Sequence, residues 1–413
     1  METKSLKSNF IWNTIGSFTY LFCQWLLTFL VIRLSSDLKD VGNLSLAITI
    51  TNIFYGVACF NMRPYLVSDN INEYKVEDYT TFRLITIVFS VIACFIYSLF
   101  FKYNTSQLVC IMLYMVYKVG EAVVDLLHAF EQRKSRMDIG GISLLIRGIL
   151  SILFFIIGMK LFNSVNYSIL LMIIVTFIFI IIYDYKKVQK FEILRINFKS
   201  KKVKELFFKF LPLAIGTFLS TMSASWPRQL LEKIYSSETL GIYATIATPA
   251  VIVQVCATYI YNPLLVSFSN YKKNIDYKGF KGMLIKSLIV ILILSLVCYV
   301  GSLLFAEPVL RILYGTKISK YYKLFSLIII YTSLTGISLF FHNILIILRK
   351  INILSFIYFT GFAICVLTSD FIIKKYGMNG VSYTLLLFTI FIVIEMFIVI
   401  YKYMRKMKKI ERN

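Results

Sequence analysis

The sequence predicts an all-α, polytopic membrane protein of about twelve transmembrane helices in two six-helix lobes. Three observations predict it. Hydrophobic residues make up 58% of the 413-residue chain and charged residues only 16%, whereas a soluble domain carries about 25% charged residues. Apolar stretches of about 20 residues, the length that crosses ~30 Å of hydrocarbon, recur from one end of the chain to the other. A basic segment near the middle divides those stretches six and six.

The spans are expected at 10–33, 41–62, 83–101, 106–130, 139–160, 166–185, 208–227, 240–266, 283–305, 322–348, 351–373 and 379–402. The first shows no secretory cleavage pattern and is long enough to stay as a membrane helix. Lys and Arg set the orientation. With the N-terminus inside, thirty of the 44 basic residues fall in inside segments and twelve in outside loops, while Lys118 and Arg147 lie within spans. That bias puts both termini in the cytoplasm. The net charge of +23 is then mostly an orientation signal and a match to anionic lipid headgroups.

Four segments follow: an N-terminal lobe at 1–185, a connector at 186–207, a C-terminal lobe at 208–402 and a basic cytoplasmic tail at 403–413. The stretch from Tyr185 to Lys209 holds nine basic residues with apolar ones between them, which predicts an amphipathic connector lying on the membrane surface. A weak internal similarity supports two halves. Val41-Gly42-Asn43-Leu44-Ser45 aligns with Leu240-Gly241-Ile242-Tyr243-Ala244, each opening the second span of its half.

Several functions are excluded or disfavoured. No Gly-x-x-x-x-Gly-Lys-Ser/Thr loop is present, so the chain is not expected to hydrolyse ATP. His128 and His342 are the only histidines, and no Ser/His/Asp arrangement suggests catalysis. The seven cysteines lie in apolar segments without a Cys-x-x-Cys pair, which predicts packing roles, no metal and no cofactor. No basic domain lies outside the membrane to hold nucleic acid. A channel filter repeat is absent, and a membrane transferase would need a larger outer loop or domain. A secondary transporter is the remaining class.

The most informative local feature is a polar stripe on the fourth span. Tyr114, Lys118, Glu121, Asp125, His128 and Gln132 are spaced 4, 3, 4, 3 and 4, which puts them on one helix face. Ionisable groups inside a span cost roughly 2.5–3.5 kcal/mol each on the mildest scale. The stripe must therefore face other helices or a watery cavity. Arg147 on the fifth span lies at a matching depth and can meet Glu121 or Asp125 across a short connection. Such a pair is either a lock between two helices or part of a charge-lined cavity. Lys118 lies near the midplane.

Other polar groups are more local. Glu395 stands alone in an apolar run and requires a polar partner or a proton. Gln24, Asn52, His342 and Asn343 read as interhelical hydrogen-bond formers, and Trp12, Trp25 and Trp226 as interfacial anchors. After span two, Pro64 is expected to break the chain just past Arg63, with Ser68 or Asp69 capping a short helix and Asp78 or Thr80 opening span three. Arg63 would then end an apolar helix where an anionic headgroup arrives, and a guanidinium binds phosphate oxygens as a fork. Pro227 is expected to interrupt or end span seven, with Arg228 and Glu232 paired four residues apart.

These stretches resemble a known family. The run 226–250, WPRQLLEKIYSSETLGIYATIATPA, is similar to a signature of bacterial polysaccharide transport proteins. The run from Arg63 to Asp69 resembles their segment after span two. Gln132-Arg133-Lys134-Ser135-Arg136-Met137-Asp138, with Gly141-Ile142-Ser143 and Arg147-Gly148, resembles their connection between spans four and five. Gln229 and Gly140 depart from the pattern, where a Tyr and a larger apolar residue are expected; the charged positions do not. The resemblance implies a flippase of the multidrug/oligosaccharidyl-lipid/polysaccharide exporter superfamily, with its two lobes around a central, cationic cavity. It implies a monomer in the bacterial inner membrane that moves undecaprenyl-diphosphate-linked oligosaccharide to the outer leaflet. Its partners would be that substrate, membrane lipids, a polysaccharide polymerase and glycosyltransferases. Arg63, Lys118, Arg147 and Arg228 would meet the headgroup. Glu121, Asp125, Glu232 and Glu395 would serve coupling or ion pairing.

Overall fold

The computed structural model describes residues 6–35, 37–68, 73–261 and 264–412. Among them every regular element is helical. The N-terminal elements are α1 (Leu6–Leu34), α2 (Leu38–Cys59), α3 (Arg63–Ser68), α4 (Val76–Phe100), α5 (Thr105–Arg133), α6 (Met137–Phe162) and α7 (Val165–Phe179). α7 continues as a π-helical segment, Ile180–Tyr185, and a short α8 (Lys186–Val188). Then follow α9 (Lys201–Ile234), α10 (Ser237–Tyr261), α11 (Leu265–Lys273), α12 (Tyr277–Tyr314), α13 (Thr316–Ser319), α14 (Tyr322–Ile347), α15 (Ile351–Tyr376) and α16 (Met378–Arg412).

Eleven of these helices are long and apolar enough to cross a membrane, and α9 makes a twelfth when its parts Lys201–Pro212 and Ala214–Ile234 are taken as one span. The start signals are local. Asn104 and Gln107 bond each other's backbone N–H at the start of α5, at 2.9 and 3.1 Å. Asp37 accepts the Lys39 N–H before α2, and Asp276 accepts the Gly279 N–H before α12. Such caps satisfy helix-end donors that have no partner within the helix.

The chain packs as two compact units, Met1–Thr221 and Met222–Asn413. Their boundary falls inside α9, past the 186–207 connector. The reason is packing: Val188, Leu206, Phe210 and Ala214 join Phe82 and Phe130 in one apolar cluster of the first unit. The connector is tied to that unit as well. The Asn197 N–H donates to Thr81 Oγ1 at 2.8 Å, and Lys134 pairs with Glu192 at 3.0 Å. Its Ile193, Ile196 and Phe198 remain exposed, as a surface-lying amphipathic segment requires.

In the first unit α1 runs against α6 and α2 against α5. The α1–α6 contact is backbone on backbone. A Cβ on Gly16 would lie 1.9 Å from the Gly141 carbonyl oxygen, and one on Gly141 would lie 2.3 Å from the Trp12 oxygen. Small residues let membrane helices approach this closely. Gly141→Leu is therefore expected to lower the detergent melting temperature and monodisperse yield, since overpacking typically costs about 1–3 kcal/mol. An unchanged melting curve would show that the two helices can separate freely. In the second unit α14 packs against α10, α12 and α16, and α15 against α16.

Two expected breaks fall elsewhere. α2 ends at Cys59, and Phe60 and Asn61 take left-handed backbone conformations. The turn thus precedes Arg63, which opens α3 with Pro64 next to it instead of ending span two. Proline is tolerated in the first helical turn because its missing N–H has no partner there. Asp69 lies outside the described residues. Pro227 neither interrupts nor ends the seventh span, because α9 continues through it to Ile234. The Ser223 carbonyl, four residues earlier, loses its usual backbone donor, and the Cys365 thiol donates to it at 3.4 Å. Span three begins at Val76, with Asp78 accepting the Lys75 N–H at 2.9 Å.

Candidate functional site

The polar stripe of α5 forms the inner seam of the first unit. Along its length each member meets a different element. Near the middle, the Lys118 ammonium lies over the rings of Tyr55 from α2 and Tyr114 from its own helix, 5.2 and 5.7 Å from their centroids. Among the described residues it has no ion-pair partner within 4 Å; the two rings and the charge of Glu121 one turn away offset its burial. Above it, Tyr117 bonds Tyr20 and Gln24 of α1, each at 3.0 Å.

One turn further, Glu121 accepts from Arg147 of α6. Arg147 is buried, bonds Ser143 Oγ at 3.2 Å and lies over the Tyr20 ring. This is one of the two pairings allowed by helix depth. Asp125 takes different partners. Arg83 Nη2 donates to Oδ2 at 2.8 Å and Arg63 Nη1 to Oδ1 at 3.1 Å. The two cations differ in environment: the Arg83 side chain is 2% exposed and that of Arg63 37%. Arg83 also donates to the Ala58 carbonyl at 3.1 Å, where Thr86 adds a second bond at 2.8 Å. A helix-end carbonyl is thereby satisfied in a buried place.

The last turns of α5 border a cavity of about 310 Å³, lined in part by Arg63, His128, Glu131, Gln132 and Gly140. Arg63 also donates to Gln132 Oε1, through Nη2 at 3.1 Å. His128 faces Asp184 of the π-helical segment at 3.3 Å. Glu131 is buried, and among the described residues neither carboxylate oxygen has a hydrogen-bond partner. Outside the spans, hydrogen bonds from Tyr65 and Lys209 hold the Glu73 carboxyl below its ordinary range. Burial pushes the Tyr74 phenol up to about 12.

Arg63, Lys118, Glu121, Asp125 and Arg147 are thus gathered in one unit. Arg228, Glu232 and Glu395 belong to the other. The expected Arg228–Glu232 pair is not formed. Ser237 Oγ donates to Glu232 at 3.1 Å and draws it to the α9–α10 turn, while the Arg228 Nε is buried without a hydrogen-bond partner among the described residues. Glu395 accepts from Thr360 Oγ1 of α15 at 2.9 Å, which supplies the polar partner its apolar run required. His342 bonds the Tyr358 hydroxyl at 2.9 Å. Arg83, Glu131 and Asp184 were not among the expected site residues. Glu131 follows His128 by three positions, the same spacing that defines the stripe, and Arg83 looked like the start of span three.

No family model matches the chain. It is 25% identical over 314 residues, 75% of its own length and 77% of the relative's, to the capsular polysaccharide biosynthesis protein CapF of Staphylococcus aureus. Among solved structures, the lipid II flippase MurJ in an inward closed conformation matches with TM-score 0.73 at 13% identity, over 96% of this chain and 90% of that one. An inward-facing multidrug resistance MATE family transporter of the MOP superfamily matches with TM-score 0.72 at 12% identity, over 98% and 99%. The Vibrio cholerae MATE transporter VcmN matches with TM-score 0.65 at 13% identity, over 97% of each chain. Each of these solved structures is a transporter or a flippase, and the likeness to them is one of fold. The chain has the fold of the multidrug/oligosaccharidyl-lipid/polysaccharide exporter superfamily, and in sequence it is similar to a capsular polysaccharide biosynthesis protein.

Proposed function

We propose that the protein is a flippase for undecaprenyl-diphosphate-linked oligosaccharide, carrying it by alternating access from the cytoplasmic to the outer leaflet for surface polysaccharide assembly. The observation that carries this reading is Lys118. It is a cation in the middle of a membrane helix, framed by two aromatic rings and without a carboxylate partner among the described residues. Such a group is costly in a membrane unless an anion reaches it. A diphosphate headgroup supplies that anion, its sugars can stack on tyrosine rings, and its polyprenyl tail can stay in lipid. The similarity to a capsular polysaccharide protein supports the same class of substrate.

Arg63 is the second headgroup ligand of the first unit on this reading, and Arg228 is a proposed headgroup contact of the second unit taken by itself. Arg147 contributes when its pair with Glu121 opens. Glu121, Asp125, Glu232 and Glu395 are the charges whose pairings change during the cycle, driven by an ion gradient if the cycle is driven. The protein works as a monomer in the inner membrane, with both termini in the cytoplasm. Glycosyltransferases supply its substrate and a polymerase consumes the product.

The likeness to multidrug transporters favours a second reading, cation-coupled drug export. Reconstitution separates the two. Vesicles containing the protein are expected to move the lipid-linked oligosaccharide to the far leaflet, where an impermeant oxidant modifies its sugars. They are expected not to extrude a cationic dye. Dye efflux without oligosaccharide movement would replace the flippase with an exporter.

A further inference from the structure

We propose that Glu131 is a proton-binding site of the N-terminal unit, and that its proton decides which carboxylate Arg63 holds. Glu131 is 1% exposed, and both its carboxylate oxygens lack a hydrogen-bond donor among the described residues. A buried, ionised carboxylate without a donor is one of the most unfavourable arrangements a protein can contain. The side chain nevertheless borders a cavity of about 310 Å³ that is open to solvent, so a proton can enter and leave.

The charged groups around Glu131 are already committed. Asp184 and Asp138 add negative charge, and Arg63 and Arg136 are the nearby cations. Arg136 is held by Asp138 through two bonds of 2.9 and 3.1 Å. Arg63 is held by Asp125 and Gln132. His128, one turn earlier on the same helix, faces Asp184. Tyr183 neighbours Glu131 and Asp184 from the π-helical segment. That segment is a second pointer to a working site, because π-helical turns inside α-helices are frequent at functional sites. It presents the fully buried Asp184, whose Oδ2 also lacks a partner among the described residues. Gly140 keeps the place compact: a Cβ there would sit 3.1 Å from the His128 ring and 3.2 Å from Glu131 Oε2.

The exchange follows from these contacts. The carboxyl O–H bond breaks, its proton passes to water in the cavity, and a carboxylate remains. The mobile cation at hand is Arg63, the more exposed of the two arginines on Asp125. Its transfer to Glu131 leaves Asp125 paired with the buried Arg83. Asp125 therefore keeps a counter-charge in both states, and Arg63 gains a second resting place. Protonation of Glu131 needs no assumption about transport. Its consequence for a headgroup rests on the reading of Arg63 given above.

The test uses the full-length protein in proteoliposomes with dicyclohexylcarbodiimide, which adds to protonated carboxyls and leaves a stable acylurea. Mass spectrometry maps the modified residues across pH. Glu131 is expected to be modified at neutral pH and progressively less as pH rises, with Asp125 unmodified. Arg63→Gln should raise the pH at which modification is lost. In parallel, the infrared carbonyl band of protonated carboxyls should disappear in Glu131→Gln and persist in Glu307→Gln, a change at an exposed position. No modification of Glu131 at any pH, or modification indifferent to pH, would overturn the proposal. Protection by Na⁺ at fixed pH would also overturn it, by making the site one for a metal cation. These readouts involve no flipping, so a failed transport assay leaves them interpretable.

Discussion

Arg147→Ala is expected to reduce the amount of folded protein in the membrane several-fold. Removing one partner of a buried ion pair leaves the other uncompensated and typically costs about 3–5 kcal/mol. That is a large fraction of the roughly 5–15 kcal/mol by which proteins are stable. Here the group left behind is Glu121, which has Arg147 as its ion-pair partner. The double replacement Arg147→Met with Glu121→Met removes both charges and should restore abundance, as paired apolar substitutions often do. Quantitative immunoblotting of membranes and melting in detergent measure both. The double variant also separates the lock from the cavity. Normal surface polysaccharide would make the pair purely structural. Restored abundance without polysaccharide would give it a part in the cycle.

Lys118→Met should do the opposite. Among the described residues the ammonium has two ring contacts and no ion pair within 4 Å, so its loss removes chiefly cation–π stabilisation, about 0.5–2 kcal/mol. Abundance should hardly change. Polysaccharide assembly should fall roughly 10- to 100-fold, the worth of a charged hydrogen bond of about 1.5–3 kcal/mol to a bound anion. Lys118→Arg keeps the charge and should retain part of the activity. Complementation of a strain lacking the protein, read by surface polysaccharide staining, checks both variants. Wild-type polysaccharide in Lys118→Met would remove the central support for the headgroup site.

Much of the fold was legible because each span carries its own signal. Hydropathy and length give the twelve candidates independently of one another, and loop charges need only be counted. The stripe was legible for the same reason, since one helix face is a property of one helix. Pairing between helices was less so. The depth argument offered Arg147 two acids and could not choose, because the choice depends on Arg83 entering from α4 and taking Asp125. Asp184 was hidden more deeply. It lies on a segment whose wider turn alters the facing of its side chains, and nothing in the apolar run around it announces a π-helix. Pro227 misled because a proline break is a rule about the local chain. The donor that relieves it, Cys365, comes from a helix more than a hundred residues away.

The pairing of α5 with α6 has a consequence for synthesis. A helix carrying Lys118, Glu121, Asp125 and Glu131 is a poor candidate to leave the translocon by itself, since each central charge disfavours insertion by about 2.5–3.5 kcal/mol. α6 follows after a turn of three residues, 134–136, and brings Arg147 to Glu121. Arg83 is already present in α4 to receive Asp125. The order of these helices along the chain therefore hands Glu121 and Asp125 a counter-charge from the helix made just after α5 and the helix made just before it. The nascent N-terminal unit can enter lipid as an assembled group, with these two acids neutralised as they arrive.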